Sequence, residues 1–326
     1  MANIIKSPNT INLKFRKKAI RLLFSMLLLS TVSFAQDYSK EVVKVWGVEQ
    51  IPFNKNNITL KETTDSTGWR ISQISEPILY VYRKKNVTSK GAALLFCPGG
   101  GYANVSLAKD GEGYANRFLN MGFDVVAILK YRLPDARIVN HQELVPLCDA
   151  QKALSLIHQN AKNWQINNNK IAVAGSSAGG HLAASLTNLM DTIVAPGVKR
   201  SELKQAVSIL MYPVITFNKP QRHNGSYNRL LGDLANNQTL TDYYSMEKQV
   251  TKKTPPTFLV HAKDDLVVPL ANSIMYLDNL KKFKVPNKYI ELEKGGHGFS
   301  FDVKRTGVDW SADLEQWLKN ETDLFK

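Results

Sequence analysis

The sequence predicts an α/β fold in which a mostly parallel central sheet carries helices on both faces. Two observations lead to this class. Short apolar runs of strand length alternate along the chain with segments of helix length, and one such run, at residues 171–174, continues directly into Gly-x-Ser-x-Gly and a helix beginning near His181. Alternating strands and helices are typical of parallel sheets, because a parallel neighbour can be reached only through a crossover connection.

Seven runs are expected to form the strands of this sheet. They lie at residues 78–82, 92–97, 124–129, 171–174, 207–211, 257–261 and 288–292. Between them, Leu147, Ala150, Leu154 and Ile157 recur at intervals of three and four, which indicates a helix packing on the core. We assign residues 75–326 to one catalytic domain with an insertion at about 215–255. The polar stretch 36–74 is expected to be an N-terminal extension packed on that domain.

The first 35 residues predict an export signal. Six basic residues and no acidic residue occur there, the apolar core at residues 22–32 is too short to span a bilayer comfortably, and Ser33-Phe34-Ala35 is typical of a cleavage site. We expect cleavage before Gln36 and a periplasmic or secreted protein with no stable membrane association afterwards. A retained signal anchor is the alternative.

The charge of the chain comes partly from this segment. The formal net charge is +14, from 42 Lys and Arg against 28 Asp and Glu, and without residues 1–35 it is 36 minus 28, or +8. The remaining cations are scattered and are not interleaved with aromatic residues, so no nucleic-acid partner is expected. Cys97 and Cys148 are the only cysteines, which excludes a disulfide framework and a cysteine metal site. We expect both thiols to be unpaired.

The sequence Gly175-Ser176-Ser177-Ala178-Gly179 is typical of a nucleophile elbow. A serine hydroxyl is a weak nucleophile, and it reacts when a sharp strand-to-helix turn exposes it beside a base. Gly175 and Gly179 remove side chains where the strand and the helix come together. The pattern therefore predicts Ser177 as a nucleophile.

An acid and a histidine follow in the order that such an elbow requires. Of the six histidines, His297 alone lies downstream of a well-placed acid, on a glycine-rich loop after a strand-like run, so elimination leaves it as the base. Asp264 and Asp265 follow the strand that ends at His261. We choose Asp265 as the acid and expect Asp264 to be solvated or to cap the helix that begins near Pro269.

Three glycines after a buried strand predict donors for an oxyanion. The run is Cys97-Pro98-Gly99-Gly100-Gly101-Tyr102, and the N–H groups of Gly100, Gly101 and Ala178 are the candidates. A flexible turn is the alternative reading of the triplet. Tyr102 and His223 are candidate substrate contacts.

These motifs, together with Tyr131-Arg132-Leu133-Pro134 and Tyr212-Pro213-Val214-Ile215, resemble the α/β-hydrolase esterases related to bacterial acetyl xylan esterases. The resemblance covers roughly residues 75–326. It implies Ser177 as nucleophile, Asp265 as acid and His297 as base. It also implies hydrolysis through an acyl-serine, with no metal or organic cofactor. Pro98 stands where a histidine often precedes the triplet in lipases, so the likeness to hormone-sensitive-lipase-like enzymes is looser.

The sequence thus predicts an exported serine esterase that removes O-acetyl groups from xylan or related carbohydrates. The insertion is rich in Asn and Tyr, which suits contacts with sugars, and a cap whose tyrosines pack inward is the alternative. The alternatives for the whole protein are a feruloyl or broad short-chain carboxylesterase, a peptidase resembling prolyl oligopeptidases, and a binding protein on a hydrolase fold. The oligomeric state is not indicated.

Overall fold

An eight-stranded sheet forms the centre of the computed structural model, which describes residues 37–55, 58–85 and 89–326. These residues belong to one unit, Asp37–Lys326. The predicted export signal and its cleavage site lie outside the described residues. Across the described ranges, no helix is both long enough and apolar enough to cross a membrane.

The strands of the sheet follow the predicted order along the chain. They are β1 (Tyr38–Lys44), β2 (Ile78–Lys84), β3 (Ala93–Cys97), β4 (Val125–Lys130), β5 (Ile171–Ser176), β6 (Val207–Met211), β7 (Thr257–Ala262) and β8 (Asn287–Leu292). Their order across the sheet is β1-β2-β4-β3-β5-β6-β7-β8. Strand β2 is antiparallel to β1 and β4, and every other neighbouring pair is parallel. The predicted fold class is confirmed.

The burial of the strands explains why their sequences are so apolar. Every residue of β3, β4, β5, β6 and β7 is buried, because helices cover the sheet on both sides. All seven predicted strands occur, and their ends differ from the prediction by at most two residues.

Residues 37–74 are part of the domain, whereas the sequence predicted an extension packed on it. Strand β1 pairs with β2 along its whole length, from Tyr38 opposite Lys84 to Lys44 opposite Ile78. Trp46 is only 3% exposed, and its indole Nε1 donates to Asp149 Oδ1 at 2.9 Å. The extension therefore supplies an edge strand and a buried anchor. A second, three-stranded sheet joins Thr63–Thr64, Arg70–Ser72 and Val105–Ser106.

The helices connect the strands and pack on the sheet. They are α1 (Glu112–Met121), α2 (Val145–Gln159), α3 (Ala161–Trp164), α4 (Ala178–Asn188), α5 (Asn224–Leu231), α6 (Gln238–Tyr243), α7 (Ala271–Lys282), α8 (Val303–Thr306) and α9 (Trp310–Asn320), with 3-10 turns at Ala108–Gly111, Arg200–Leu203, Gly232–Leu234 and Met246–Gln249. Helix α2 carries the predicted apolar stripe, and its four residues are buried. Cys97 and Cys148 are buried and free, and burial raises the pKa of both thiols.

Candidate active site

The turn between β5 and α4 holds Ser177 in a strained conformation. Its φ is 55° and its ψ is −125°, a region that residues with a side chain rarely adopt and that is common at functional sites. The flanking glycines have no room for a side chain. A Cβ on Gly175 would lie 2.1 Å from the carbonyl oxygen of Gly179, and one on Gly179 would lie 2.1 Å from that of Cys97. Close packing of strand, helix and the preceding loop therefore requires both glycines.

Ser177, His297 and Asp265 form one hydrogen-bonded series. His297 Nε2 lies 2.8 Å from Ser177 Oγ, and His297 Nδ1 lies 2.7 Å from Asp265 Oδ2. A carboxylate can only accept, so Nδ1 carries the imidazole proton and Nε2 accepts from the serine hydroxyl. The structure brings together all three residues selected from the sequence, and the series is suited to move a proton from the hydroxyl to the imidazole.

The carboxylate of Asp265 is held on both of its oxygens. Oδ1 accepts from the backbone N–H groups of Val267 and Val268, both at 2.9 Å. Burial raises the pKa of Asp265, but hydrogen bonds from His261 and His297 outweigh burial and leave that pKa well below its usual range. Asp265 therefore stays ionised as pH falls into mild acid.

His261 is a second histidine on this carboxylate, and the sequence analysis did not assign it to the site. It is fully buried, and its Nε2 lies 3.1 Å from Asp265 Oδ2. Its Nδ1 lies 2.8 Å from Ser273 Oγ on α7. The ring thus links the acid to the helix behind it. Its position four residues before Asp265, in the penultimate place of β7, is the signal that could have identified it.

Asp264 has a different partner from the one predicted. It is exposed, as the first of the two predicted alternatives has it, and it does not cap the helix after Pro269. Its Oδ1 accepts from the N–H of Gly296 at 2.7 Å and its Oδ2 from that of Gly295 at 3.2 Å. These two amides immediately precede His297, so Asp264 holds the backbone of the loop that carries the histidine.

Arg305 holds the carbonyl groups of the same loop. Its Nη2 donates to the carbonyl oxygens of Gly295 and His297 at 2.7 and 2.9 Å, and its Nη1 donates to that of Gly298 at 2.9 Å. The loop is therefore fixed through both its N–H and its C=O groups. The sequence gives no signal for Arg305, because its role depends on how α8 returns to the loop.

The glycine-rich loop after β3 passes over the serine. A Cβ on Gly99 would lie 3.0 Å from Ser177 Cβ, and the N–H of Gly99 donates to Ser176 Oγ at 3.2 Å. Within the described part of the chain, the N–H groups of Gly100, Gly101 and Ala178 donate to no other residue. The three predicted donors are thus unpartnered within the described chain, one on the residue after Ser177 and two on the residues after Gly99.

Tyr102 corrects a prediction, because its side chain points into the core. It is 2% exposed, and its hydroxyl lies 2.9 Å from His181 Nδ1. His181 Nε2 lies 2.8 Å from the carbonyl oxygen of Tyr244, and the ring stacks on Phe217. Burial lowers the pKa of His181 to about 4, so the ring is neutral. The phenol of Tyr102 therefore anchors the glycine loop to α4 and is not a substrate contact.

The insertion between β6 and β7 has the inward-packing form that the sequence left as an alternative. Phe217, Tyr227 and Tyr244 are all less than 5% exposed. His223 lies at the edge of the glycine loop, where its Cε1 is 3.8 Å from the position a Cβ on Gly101 would take. Its Nδ1 accepts from the N–H of Ser226 at 3.1 Å, so Nε2 carries the proton of the neutral ring.

Neither His181 nor His223 belongs to a metal site in the described part of the chain. Among the residues that the structure describes, no group of three or more His, Cys, Asp or Glu is arranged to hold a metal ion.

Comparison with known proteins agrees with this geometry. The family model described as BD-FAE matches residues 79–280. The chain is 31% identical to an acetylxylan esterase of Xylanibacter ruminicola, over 71% of this chain and 46% of that protein. It is 30% identical to endo-1,4-beta-xylanase B of Butyrivibrio fibrisolvens, over 87% of this chain and 44% of that protein. The chain therefore spans less than half the length of either curated relative.

A solved structure is similar over a larger share of its own length. It is the acetyl ester-xyloside bifunctional hydrolase from Caldicellulosiruptor lactoaceticus, with a TM-score of 0.69 and 28% identity, covering 86% of this chain and 96% of that one.

Proposed function

The chain belongs to the BD-FAE family of α/β-hydrolase esterases, and from this premise we propose that it removes O-acetyl groups from xylan or related carbohydrates. The observation that carries the proposal is the series of Ser177, His297 and Asp265, with contacts of 2.8 and 2.7 Å, in a chain 31% identical to an acetylxylan esterase. The enzyme class, a carboxylic ester hydrolase, agrees with the names of the acetylxylan esterase and of the acetyl ester-xyloside hydrolase.

In the proposed mechanism, His297 Nε2 takes the proton of Ser177 Oγ as that oxygen attacks the ester carbonyl carbon. The tetrahedral intermediate collapses when His297 returns the proton to the alkoxide leaving group, which is the sugar hydroxyl. An acetyl-serine remains. Water then loses a proton to His297 and attacks the acetyl carbonyl, and acetate leaves as Ser177 regains its proton. Asp265 stays ionised and stabilises the imidazolium.

The developing oxyanion would accept from the N–H groups of Gly100, Gly101 and Ala178. Their lack of partners within the described chain supports this role, because a donor already satisfied by the protein could not serve the transition state. Ala178 is the first residue of α4, so the positive end of that helix also faces the oxyanion. No step needs a metal or an organic cofactor.

His223 is proposed to contact the sugar. Its Nε2–H donates to no other described residue, and its ring lies beside Gly101. A neutral imidazole N–H at this position suits a hydroxyl oxygen of the leaving group.

The proposal is tested by measuring acetate and ferulate release from native hemicelluloses, beside a chain-length series of nitrophenyl esters. Acetate release is expected, and it should be absent in Ser177→Ala. Acetyl esters are expected to exceed butyryl esters by about tenfold or more in kcat/KM, since each of the two extra methylenes that is not accommodated costs about 1–3 kcal/mol. An optimum at hexanoyl or longer, or no acetate from any acetylated glycan, would favour a general carboxylesterase. Ferulate release would favour a feruloyl esterase.

We further propose that the protein is exported. The basic and apolar pattern of residues 1–35 supports this, since it is typical of a cleaved signal. N-terminal sequencing of protein recovered outside the cytoplasm should give a chain that begins within a few residues of Gln36. Recovery of only uncleaved chain inside the cells would contradict the proposal.

A further inference from the structure

A groove of about 420 Å³ lies beside the glycine loop, and the reaction proposed above does not use it. One side is formed by Ala103 and by Tyr102, whose phenol points away from the groove toward His181, directly after the proposed oxyanion donors. The opposite side is formed by Asn228 and Arg229 of α5. The groove is open, and its lining includes the amides of Gln73, Gln142 and Asn228 and the guanidinium groups of Arg137 and Arg229. These groups can hydrogen-bond the hydroxyls of a sugar chain, which an acyl chain lacks.

The walls of the groove are held in place. Gln142, which also lines it, donates from Nε2 to the carbonyl oxygen of Arg229 at 2.8 Å, so the segment after Pro134 is tied to α5. Leu133 and Pro134 are buried and form an apolar floor. The position of Arg229 along the groove is therefore fixed by the fold, although its guanidinium is exposed.

Arg229 of the groove lies close to His223, which is at the edge of the glycine loop. A Cβ on Gly225 would lie 3.0 Å from His223 Cε1 and 3.1 Å from Arg229 Nη1, so the imidazole and the guanidinium flank the same residue. His223 in turn lies beside Gly101, as described above. A substrate with its ester at Ser177 and its sugar at His223 can therefore extend toward Arg229.

The charges that face the groove leave one cation uncompensated. Arg137 is bonded to Asp135, with Nε 2.9 Å from Oδ1, and Asp135 is the only acidic residue of the lining. Arg229 takes part in no ion pair within the described residues, and its Nη1 bonds only the carbonyl oxygen of Gly225, at 3.3 Å. An anionic group in the groove would thus meet a free guanidinium without a competing carboxylate.

We propose that this groove binds the glycan part of the substrate and that Arg229 receives the carboxylate of a uronic acid residue. A guanidinium presents two N–H groups in the geometry that a carboxylate accepts, which makes this pairing selective as well as favourable. The inference rests on the proposed function, because it concerns the leaving group of the same ester. It assigns the substrate class as acetylated glycans that carry uronic acid.

The test uses two acetylated xylo-oligosaccharides that share backbone and acetyl position, one with a glucuronic acid branch and one without. The wild type is expected to prefer the acidic substrate by about tenfold or more in kcat/KM, which corresponds to a charged hydrogen bond of about 1.5–3 kcal/mol. Arg229→Gln should reduce that ratio to near one. The matched control is Arg200→Gln, an exposed arginine paired with Asp191 outside the groove, which should keep the wild-type ratio. Added salt should lower the ratio in the wild type and leave it unchanged in Arg229→Gln.

The outcomes separate the two proposals. Equal rates on both oligosaccharides, or an unchanged preference in Arg229→Gln, would overturn the uronate site and leave the acetyl esterase proposal standing. Cleavage of nitrophenyl acetate with no acetate released from either oligosaccharide would overturn the proposed function, and with it the inference.

Discussion

Asp264 and Asp265 are adjacent in sequence, yet their carboxylates bind different parts of the loop that carries His297. Asp265 Oδ2 lies 2.7 Å from the imidazole Nδ1, and Asp264 Oδ1 accepts from the N–H of Gly296 at 2.7 Å. One aspartate therefore orients the ring, and its neighbour holds the backbone beneath that ring. This division gives two substitutions with very different expected effects.

We predict that Asp265→Asn lowers kcat on nitrophenyl acetate by about 10⁴-fold, because an amide at this position no longer fixes the required imidazole tautomer. Asp264→Asn should stay within about tenfold, since its side-chain oxygen can still accept from a loop amide. Thermal melting of each variant controls for loss of the fold. If the larger loss fell on Asp264→Asn, the role of the acid would move to that residue.

The two serines of the elbow provide a second matched pair. Ser177→Ala should lower kcat by about 10⁴-fold or more and abolish labelling by a fluorophosphonate, because the nucleophile is gone. Ser176→Ala removes the acceptor for the N–H of Gly99 and a side-chain hydrogen bond with Tyr212, but it leaves the nucleophile in place, so it should stay within about tenfold and still be labelled. A folded Ser177→Ala variant that kept a tenth of wild-type turnover would contradict the assignment.

The strands and the elbow could be predicted because their sequences report local structure. Strands β3 to β7 are buried on both faces and therefore read as continuous apolar runs. Strand β1 was not predicted because it lies at the edge of the sheet, where no residue is fully buried and where Val42 is exposed while its polar neighbour Glu41 is half-buried. Its place in the domain depends on pairing with β2, which no local pattern reveals.

The residues that support the site were harder to find than the three that form its central series. His261 and Arg305 act through Asp265 and through loop carbonyls, and those contacts exist only once β7, α7 and α8 have packed. Tyr102 was assigned to substrate because it follows the glycine triplet. Its φ of 58° turns the phenol toward His181, and a sequence motif does not give that direction.

The acid side of the pH profile should report a single ionisation. His297 must be neutral to accept the serine proton, so kcat/KM falls as the imidazole is protonated. The pKa of Asp265 is lowered from its ordinary value, so this carboxyl stays charged as pH falls and adds no second step in mild acid. We expect kcat/KM to fall about tenfold per pH unit on the acid side. A slope of two, or a flat profile between about pH 5 and 8, would contradict a lone histidine base.

The anchoring of residues 37–74 predicts a stability effect at Trp46. Trp46→Phe removes the indole donor to Asp149, a buried carboxylate that also pairs with buried Arg132 at 2.7 Å. The free energy of unfolding in urea should fall by about 1–3 kcal/mol. Trp69→Phe is the control, because Trp69 is 62% exposed and its change should cost less than about 0.5 kcal/mol. Equal losses in both variants would mean that the indole contact does not stabilise the domain.

The buried His181 predicts how stability depends on pH. Burial lowers its pKa from the ordinary 6.5 to about 4, so between these values the unfolded chain binds more protons than the folded one. The free energy of unfolding therefore falls as pH falls through this range, and His181 alone contributes a loss of about 2–3 kcal/mol between about pH 7 and pH 4.5. Glutamine keeps one donor and one acceptor at this position. In His181→Gln, the fall in the free energy of unfolding between these pH values, measured in urea, should therefore be smaller than in the wild type by about the His181 contribution. His141→Gln, at a side chain 67% exposed, is the control and should retain the full drop. If the free energy of unfolding fell as much in His181→Gln as in the wild type, the His181 ring would take up its proton in the folded protein. That result would contradict the single tautomer that joins the Tyr102 hydroxyl to the carbonyl of Tyr244.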